Sequence, residues 1–192
     1  MHYMARDFFA PVAAVAIPDK DGRTITIRGI NDLATTITVE VSLFALSVDG
    51  QRRELGTHEL SMPPDRAVDV ARLDAAAVLD DALLYVATRA ADGDEVVRHF
   101  APRPYKTYDF ADPAISVTKT STADGLSIIL KASRPAYFVA LECDAPGHFS
   151  HAAFDLLPGQ PRAVEFRPTN SSDIEKAAQS LIIRDLYSAT CR

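Results

Sequence analysis

The sequence predicts an all-β protein made of two antiparallel β-sandwiches in tandem. Three observations predict this fold. Short segments that alternate apolar and polar residues recur along the chain, turn signals separate them, and a proline-containing break near the middle is followed by the same pattern again. Successive side chains of a strand point to opposite faces of its sheet, so this alternation is typical of strands with one buried face. Many short strands without long helices between them favour sandwiches.

The first half contains five segments with the strand pattern, separated by Asp-Gly, Asn-Asp or Pro-Asp turn signals. In the two most regular segments, isoleucine, valine and leucine occupy every second position. The predicted strands are residues 23–28, 36–43, 67–70, 83–88 and 95–100. Asp74 is a candidate N-cap for a short helix through Leu79, because its carboxylate can accept a hydrogen bond from a free amide of the first turn.

The break near the middle contains Pro102 and Pro104, with Pro113 just beyond. Proline lacks an amide donor and keeps its predecessor extended, so we predict a linker here and two domains, residues 1–106 and 107–192. The same segment carries the aromatic residues Tyr105, Tyr108 and Phe110. They are candidate carbohydrate-binding residues, because sugar rings stack on exposed aromatic rings. The alternative, which we favour, is that they seal the interface between the sandwiches.

The second half resumes the strand pattern and adds one helical segment. The predicted strands are residues 115–118, 126–130, 137–141, 163–166 and 181–186. Ser172 and Glu175 have the spacing of a capping box and predict a short helix that continues past Lys176. At the N-terminus, the spacing of Met4, Phe8 and Phe9 predicts a short helical stub within residues 1–10. Both halves then have the strand rhythm of immunoglobulin-like sandwiches.

Composition excludes several classes of function. The chain has 192 residues, of which 47% are hydrophobic and 24% charged, as expected of a protein with a packed core. A net charge of −6 without a stripe of Lys and Arg argues against nucleic acid as a partner. No apolar run has the length of a membrane span, and the start lacks the pattern of a secretory signal. We expect a soluble protein of the bacterial cytoplasm or periplasm, with the choice of compartment open.

Motifs for metal binding or nucleophilic catalysis are weak. His148 and His151, near Asp144 and Asp155, are the most metal-like group, but two imidazoles do not define a site, and we expect neither a metal nor a cofactor. Ser150 lies between the two histidines without the Gly-x-Ser-x-Gly pattern of a nucleophile elbow. The two cysteines, Cys143 and Cys191, could form a disulfide, but we expect free thiols.

Two sequence segments, which we call phrases, resemble the sequences of one enzyme family. Residues 2–12, His-Tyr-Met-Ala-Arg-Asp-Phe-Phe-Ala-Pro-Val, resemble the junction at which the catalytic barrel of family 2 β-mannosidases ends and their C-terminal β-sandwiches begin. Residues 147–150, Gly-His-Phe-Ser, and 154–161, Phe-Asp-Leu-Leu-Pro-Gly-Gln-Pro, resemble a phrase of the last sandwich of that family. The order and spacing of the phrases also fit, so the resemblance extends over nearly the whole chain.

The resemblance implies a non-catalytic part of a larger enzyme. The parent would be a retaining exo-glycosidase that hydrolyses terminal β-D-mannose residues, with both catalytic glutamates on a barrel upstream of this sequence. Such enzymes hold two carboxyl groups about 5–5.5 Å apart, and the sequence contains no apparent pair of this kind among its most prominent carboxylates. Those carboxylates are Asp69, Asp80, Asp81, Asp94, Glu95 and Asp155. We therefore expect no catalytic residue and no hydrolysis by this chain alone.

The implied partner is the barrel of the same polypeptide, against which Phe8 and Phe9 would pack; a mannose-containing oligosaccharide is a further candidate. Two other functions stay open. A free-standing carbohydrate-binding module would expose clustered aromatic rings, and the chain contains no tryptophan, the residue that most often serves this purpose. A structural pair of immunoglobulin-like spacers would show neither a binding surface nor an apolar patch. Related family 2 enzymes with other substrates carry similar sandwiches, so fold alone does not identify mannose.

Overall fold

The computed structural model describes residues 9–78, 81–91, 93 and 95–190. These residues form fourteen strands and only short helical segments, so the predicted all-β fold is confirmed. The chain divides into two compact units, one ending at Asp109 and the other beginning at Phe110. That residues 1–106 and 107–192 fold as separate domains stays a prediction. The N-terminal stub predicted for residues 1–10 lies almost entirely outside the described residues, and Phe9 and Ala10 are not helical.

The described residues of the first unit form seven strands in two antiparallel sheets. The strands are β1 (Val12–Pro18), β2 (Thr24–Asn31), β3 (Ile37–Ser47), β4 (Arg52–Met62), β5 (Arg66–Asp74), β6 (Ala82–Ala90) and β7 (Glu95–Phe100). One sheet has the order β1-β2-β5 and the other the order β4-β3-β6-β7. A 3-10 turn at Ala75–Ala77 follows β5, and the Asp74 side chain accepts a hydrogen bond from the Ala76 amide, as expected of a cap.

The core of the first unit lies between its two sheets. Ile25 and Ile27 of β2 meet Val41 and Leu43 of β3 and Leu84 of β6, and all five side chains are buried. These are the alternate positions that the sequence pattern assigns to the inner faces. Burial of each such side chain stabilises the fold by roughly 1.5–3 kcal/mol, so the inner faces determine how the two sheets stack.

A buried asparagine ties together the connections at one end of this sandwich. The Asn31 side chain is fully buried, and its amide nitrogen donates to the backbone oxygens of Thr35 and Met62, both at 2.9 Å. Its side-chain oxygen accepts from the Leu33 amide at 3.0 Å, and its backbone oxygen accepts from the Asp65 amide. Because a buried amide is costly unless its hydrogen bonds are made, these contacts define the conformation of both connections.

A threonine closes the free edge of β1. Strand β1 pairs with β2 on one side only, and on its other side the Ala14 amide donates to Oγ1 of Thr88 at 2.9 Å. Both residues are buried, and Thr88 lies in the other sheet, on β6. The hydroxyl therefore satisfies a backbone donor that would otherwise be buried without a partner.

The second unit repeats the arrangement of one three-stranded and one four-stranded sheet. Its strands are β8 (Ser116–Ser121), β9 (Leu126–Lys131), β10 (Ala136–Glu142), β11 (Gly147–Phe149), β12 (Phe154–Leu156), β13 (Arg162–Pro168) and β14 (Ile182–Arg184). The orders are β12-β10-β14 and β11-β13-β9-β8. Two helices, α1 (Ile174–Ser180) and α2 (Leu186–Thr190), lie on either side of β14 in the sequence.

The core of the second unit also alternates along its strands. Leu126, Ile128 and Leu130 of β9 contact a cluster that includes Val164 and Phe166 of β13. Two glycines permit close backbone approach beside Phe166. A Cβ on Gly125 would overlap the backbone oxygen of Phe166, and one on Gly147 would lie 2.5 Å from both the Arg167 oxygen and the Phe166 ring.

The helix signals in the second unit were only partly correct. The helix predicted from Ser172 and Glu175 exists as α1, but Ser171–Asp173 form a 3-10 turn and Asp173, before the helix, makes no side-chain capping bond. A reciprocal cap occurs further on, where Oδ1 of Asp185 accepts from the Ser188 amide and Oγ of Ser188 accepts from the Asp185 amide, both at 2.9 Å. That cap begins α2, so the strand predicted for residues 181–186 ends at Arg184.

Removing the Thr88 hydroxyl tests the closure of β1. We expect Thr88→Val, which keeps the shape of the side chain, to reduce the free energy of unfolding by about 1–3 kcal/mol, because the Ala14 amide loses its acceptor in the core. Chemical denaturation of the 192-residue chain measures the change. Thr57→Val is the control, since Thr57 is exposed and its hydroxyl lies 3.3 Å from Ser42. Equal effects of the two substitutions would contradict the assignment.

Adding a methyl group at Gly147 tests the close approach in the second unit. We expect Gly147→Ala to reduce the free energy of unfolding by about 1–3 kcal/mol, because a backbone oxygen and a core ring occupy the space that the added methyl group needs. Gly93→Ala is the matched control, since its Cβ would meet only the Cβ of Ala90, at 3.4 Å. Thermal unfolding of both variants, followed by circular dichroism, gives the comparison. A Gly147→Ala protein as stable as the control would show that the strands separate at little cost.

Candidate functional site

The candidate site begins with the aromatic segment after β7, which folds back onto the outer face of the four-stranded sheet of the first unit. Tyr105–Thr107 form a 3-10 turn, and Oγ1 of Thr107 donates to the backbone oxygen of Pro104 at 2.8 Å. The Tyr105 hydroxyl lies 2.6 Å from Nε2 of His99. The Tyr108 hydroxyl lies 3.4 Å from the backbone oxygen of Ala82. The turn is therefore held by side chains of the sandwich that precedes it.

A row of neighbouring aromatic rings continues across the same face of the sheet. Phe44 and Tyr85 are parallel with ring centres 5.0 Å apart, and Tyr85 lies 5.7 Å from the ring of His99. The Arg52 guanidinium lies 3.8 Å from the centre of the Phe44 ring. Phe44 and Tyr85 are both buried, although each points away from the core between the sheets. Stacked rings and a cation over a ring face each add to the stabilisation from burial.

The sequence pattern did not lead us to predict this row of Phe44, Tyr85 and His99. The available signal was the run Ala-Leu-Leu-Tyr-Val-Ala at residues 82–87, which is apolar at every position. A strand that is apolar on both faces is typical of a sheet covered on both sides. The prediction of a strand at residues 83–88 did not say which of its side chains face the core, so it assigned no role to Tyr85.

The three candidate carbohydrate-binding aromatics are divided between the two units. Tyr108 is only 8% exposed, and its ring lies 4.7 Å from the guanidinium carbon of Arg103. Tyr105 and Phe110 are half-buried. Phe110 belongs to the second unit, where its ring centre lies 5.2 Å from that of Tyr137. A sugar-binding role for Tyr105, Tyr108 and Phe110, and the alternative role as a seal between the sandwiches, stay predictions.

The phenylalanines proposed for domain packing lie at the start of the described chain. Phe8 lies outside the described residues. Phe9 is 82% exposed, the largest value among the exposed large hydrophobic side chains of the described residues. Its packing role stays a prediction.

The prominent carboxylates of the sequence make contacts other than with one another. Asp69 accepts hydrogen bonds from Nε and Nη2 of Arg28 at 3.0 and 2.9 Å, and Arg72 lies 3.4 Å from its second oxygen. The hydrogen bonds from Arg28, then those from Arg72, lower the pKa of Asp69 below its ordinary value.

The other described carboxylates also have structural partners. Asp155 accepts from the Phe138 amide at 3.3 Å, and Glu95 pairs with Arg89 at 2.8 Å. Asp81 uses its backbone oxygen to accept from the Val48 amide. Asp80 and Asp94 lie outside the described residues.

The two histidines of the second unit have different surroundings: His148 is exposed on β11, and His151 makes a hydrogen bond. Oγ of Ser150 lies 2.9 Å from Nδ1 of His151 and accepts from the Glu165 amide at 2.9 Å. Ser150 is thereby fixed beside β13. Within the described ranges, no group of three or more His, Cys, Asp and Glu side chains is arranged to hold a metal ion. Cys143 is a half-buried free thiol, and Cys191 lies outside the described residues.

Membrane insertion by a helix finds no support in the described part of the chain. None of its helices combines the length and the apolar character that a membrane span requires.

The Arg28–Asp69 pair predicts a specific acid titration. We expect the pKa of Asp69, followed by carboxyl NMR, to lie below its ordinary value of 3.8 and to rise towards it in Arg28→Met. Because the pKa is lower in the folded state, the stability from this pair is present above the unfolded-state pKa and is lost as pH falls through the folded-state pKa. Arg72→Met is the control and should raise the pKa less, since Arg72 is the weaker partner. A pKa at or above 3.8 in the unaltered chain would refute the assignment.

Comparisons with known proteins bear on both units. The Ig_mannosidase family model, described as an Ig-fold domain, matches residues 110–189. No curated protein matches the chain. Among solved structures, the β-D-mannosidase from Dictyoglomus thermophilum matches with a TM-score of 0.75 at 13% identity, over 96% of this chain and 23% of that chain. The exo-chitosanase CsxA from Amycolatopsis orientalis matches with a TM-score of 0.58 at 17% identity, over 96% and 26%.

This chain spans about a quarter of the length of each of these two structures. At such low identity, the structural likeness establishes the fold, which over nearly the whole chain is that of a part of these enzymes. The family model adds a relationship in sequence for the second unit. Residues 110–189 therefore match the Ig-fold domain of the Ig_mannosidase family, and this match confirms the resemblance to the C-terminal β-sandwiches of family 2 β-mannosidases.

Proposed function

We propose that this chain is the C-terminal accessory part of a β-mannosidase-like exo-glycosidase. The parent removes terminal β-D-mannose residues from the non-reducing ends of oligosaccharides, and its two catalytic glutamates lie on a barrel in the same polypeptide. The observation that carries the proposal is the match of residues 110–189 to the Ig_mannosidase model. The likeness of 96% of this chain to part of a β-D-mannosidase supports it.

The chemistry of the described carboxylates supports a non-catalytic role. Retention needs a nucleophile and an acid/base about 5–5.5 Å apart, each placed to reach the scissile bond. Asp69 is instead bound by arginines, Glu95 is paired with Arg89, and Asp155 accepts a backbone hydrogen bond. These contacts give each of the three carboxylates a structural partner. Catalysis is therefore assigned to the barrel and mechanical support to the sandwiches.

The structure suggests how the sandwiches give that support. The inner faces of each unit form a buried apolar cluster, and in the first unit Asn31 and Thr88 make hydrogen bonds with buried backbone groups. Such rigid elements hold an attached domain more precisely than flexible loops do. We therefore assign the sandwiches the task of fixing the end of the barrel that leads into Phe9.

The identity of the sugar is the finer part of the proposal. The matched structures include an exo-chitosanase as well as a β-D-mannosidase, and fold likeness does not determine substrate. Mannose is supported by the family model and by the two phrases of the sequence that resemble β-mannosidases.

Glycosidase assays test this proposal. We expect the full-length parent to hydrolyse 4-nitrophenyl β-D-mannoside with retention, observed by NMR of the first-formed sugar, and to act poorly on 4-nitrophenyl β-D-glucosaminide. The 192-residue chain alone should hydrolyse neither.

Deleting the sequence from Val12 onward in the parent should lower its temperature of inactivation, because the barrel loses its support. Preference for the glucosaminide would overturn the mannose assignment, and glycan binding by the chain without any attached catalytic domain would favour a binding module.

A further inference from the structure

The chain contains two asparagines, Asn31 and Asn170, and their surroundings differ. Asparagine is among the thermolabile residues of proteins, because its side-chain amide can be attacked by the backbone nitrogen of the next residue. The attack needs a side chain that can turn towards that nitrogen, and a nitrogen that no other group holds. Solvent exposure and hydrogen bonding therefore decide whether a given asparagine reacts.

Asn31 is protected on both counts. Its side chain is fully buried, with Nδ2 donating to two backbone oxygens and Oδ1 accepting from the Leu33 amide. The nitrogen that would attack, the backbone amide of Asp32, donates to the Pro11 oxygen at 2.8 Å. Because these bonds join β2 to its neighbouring connections, the reaction at Asn31 requires one end of the first sandwich to open.

Asn170 has neither protection. It is exposed in the connection between β13 and α1, directly before the 3-10 turn Ser171–Asp173, and its side chain makes no capping hydrogen bond to that turn. Ser171 is the first residue of the turn, and the first amides of a helix have no acceptor within the helix. Among the residues that the structure describes, none accepts a hydrogen bond from the Ser171 amide. Both reacting groups are therefore free.

The backbone around Asn170 permits the rotation that the attack needs. Asn170 is extended, with φ −125° and ψ 134°, so the Ser171 nitrogen approaches Cγ only after rotation about the Cα–C bond of Asn170. Two hydrogen bonds hold this stretch: the Thr169 amide donates to the Pro146 oxygen at 2.8 Å, and the Asp173 amide donates to the Asn170 oxygen at 3.0 Å. Of these two bonds, the rotation disturbs only the second. Local opening of an exposed turn costs far less free energy than opening a core.

We propose that Asn170 is the site at which the folded protein deamidates, because its turn leaves both reacting groups free. The Ser171 nitrogen forms a bond to Cγ of Asn170, the bond from Cγ to Nδ2 breaks, and ammonia leaves with the proton of the Ser171 amide. Water then opens the cyclic imide. Hydrolysis at Cγ gives aspartate, and hydrolysis at the backbone carbonyl carbon gives isoaspartate, in which the chain continues through the side-chain carbon. No group is oxidised or reduced, and water is the co-reactant.

Both products alter the start of α1. Aspartate adds a negative charge close to Asp173 and Glu175, which lie in the first turns of the 3-10 and α-helical segments. Isoaspartate has the larger effect, because the backbone oxygen that accepts from the Asp173 amide becomes part of a free carboxylate. Helix α1 packs Ala177 into the core of the second unit, so isoaspartate loosens the attachment of the chain to that core.

Peptide mapping by mass spectrometry tests the proposal. We incubate the folded 192-residue chain at mildly alkaline pH and follow the conversion of amide to acid at both asparagines of the same molecule. Asn170 should convert at least about tenfold faster than Asn31, since the reaction at Asn31 must wait for a rarer opening of the structure. Enzymatic methylation of isoaspartate identifies that product in the peptide that contains residue 170.

Ser171→Pro is the matched control variant. Proline lacks the amide N–H that the reaction consumes, is tolerated at the first position of a helix, and favours an extended residue before it, as Asn170 is. We expect Ser171→Pro to unfold at the temperature of the unaltered chain and to lose the rapid deamidation of Asn170.

Three outcomes would overturn the proposal. The first is conversion of Asn170 no faster than that of Asn31 in the folded chain. The second concerns the denatured chain, in which both asparagines are exposed and should convert at comparable rates. The same ratio of rates in denaturant as in the folded chain would show that local sequence, and not the structure, sets the difference. The third is undiminished deamidation of Asn170 in Ser171→Pro, which would exclude attack by the backbone nitrogen.

Discussion

The hydrogen bonds of Asn31 are the interaction on which the arrangement of the first sandwich depends. The chain crosses between sheets twice at this end, from β2 to β3 and from β4 to β5, and Asn31 contacts both connections. With those crossings fixed, the inner faces of the two sheets pack against each other, and on the free side of β1 the Ala14 amide donates to Thr88. The same topology turns the aromatic row of Phe44, Tyr85 and His99 to the outer face of the four-stranded sheet.

The local sequence pattern was sufficient to predict which strand residues face the cores, because alternation of apolar and polar residues indicates directly which side of a strand is buried. The strands around Ile25, Val41 and Ile128 were predicted for this reason. Strand β1 was not, since it is apolar at every position and lacks alternation. The role of Tyr85 required knowing what covers the outside of its sheet, which is a property of chain segments far apart in sequence.

The second unit shows the same limit. Phe138 has a φ of +54°, a conformation that costs energy for an aromatic residue, and its amide donates to Asp155 across the sheet. In the sequence, Asp155 belongs to a segment that resembles the family, and no structural role was predicted for it; the structure gives it a hydrogen-bonding role at a bulge in β10. The candidate aromatics were similarly identifiable as a group, but their division between two units was not, because linker composition does not specify where each ring packs. For function, the match of residues 110–189 to the Ig_mannosidase model shows an Ig-fold domain, while the accessory role and the choice of mannose are proposals that draw on the sequence segments resembling β-mannosidases.

The central claim is that these sandwiches belong to a glycosidase whose chemistry lies elsewhere in the same polypeptide. The most direct measurement is the sequence and intact mass of the complete polypeptide produced in the source organism. The account predicts a catalytic barrel upstream of Phe9, with two glutamates whose carboxyl groups lie about 5–5.5 Å apart in its structure. A mature polypeptide that consists of the two sandwiches alone would contradict it.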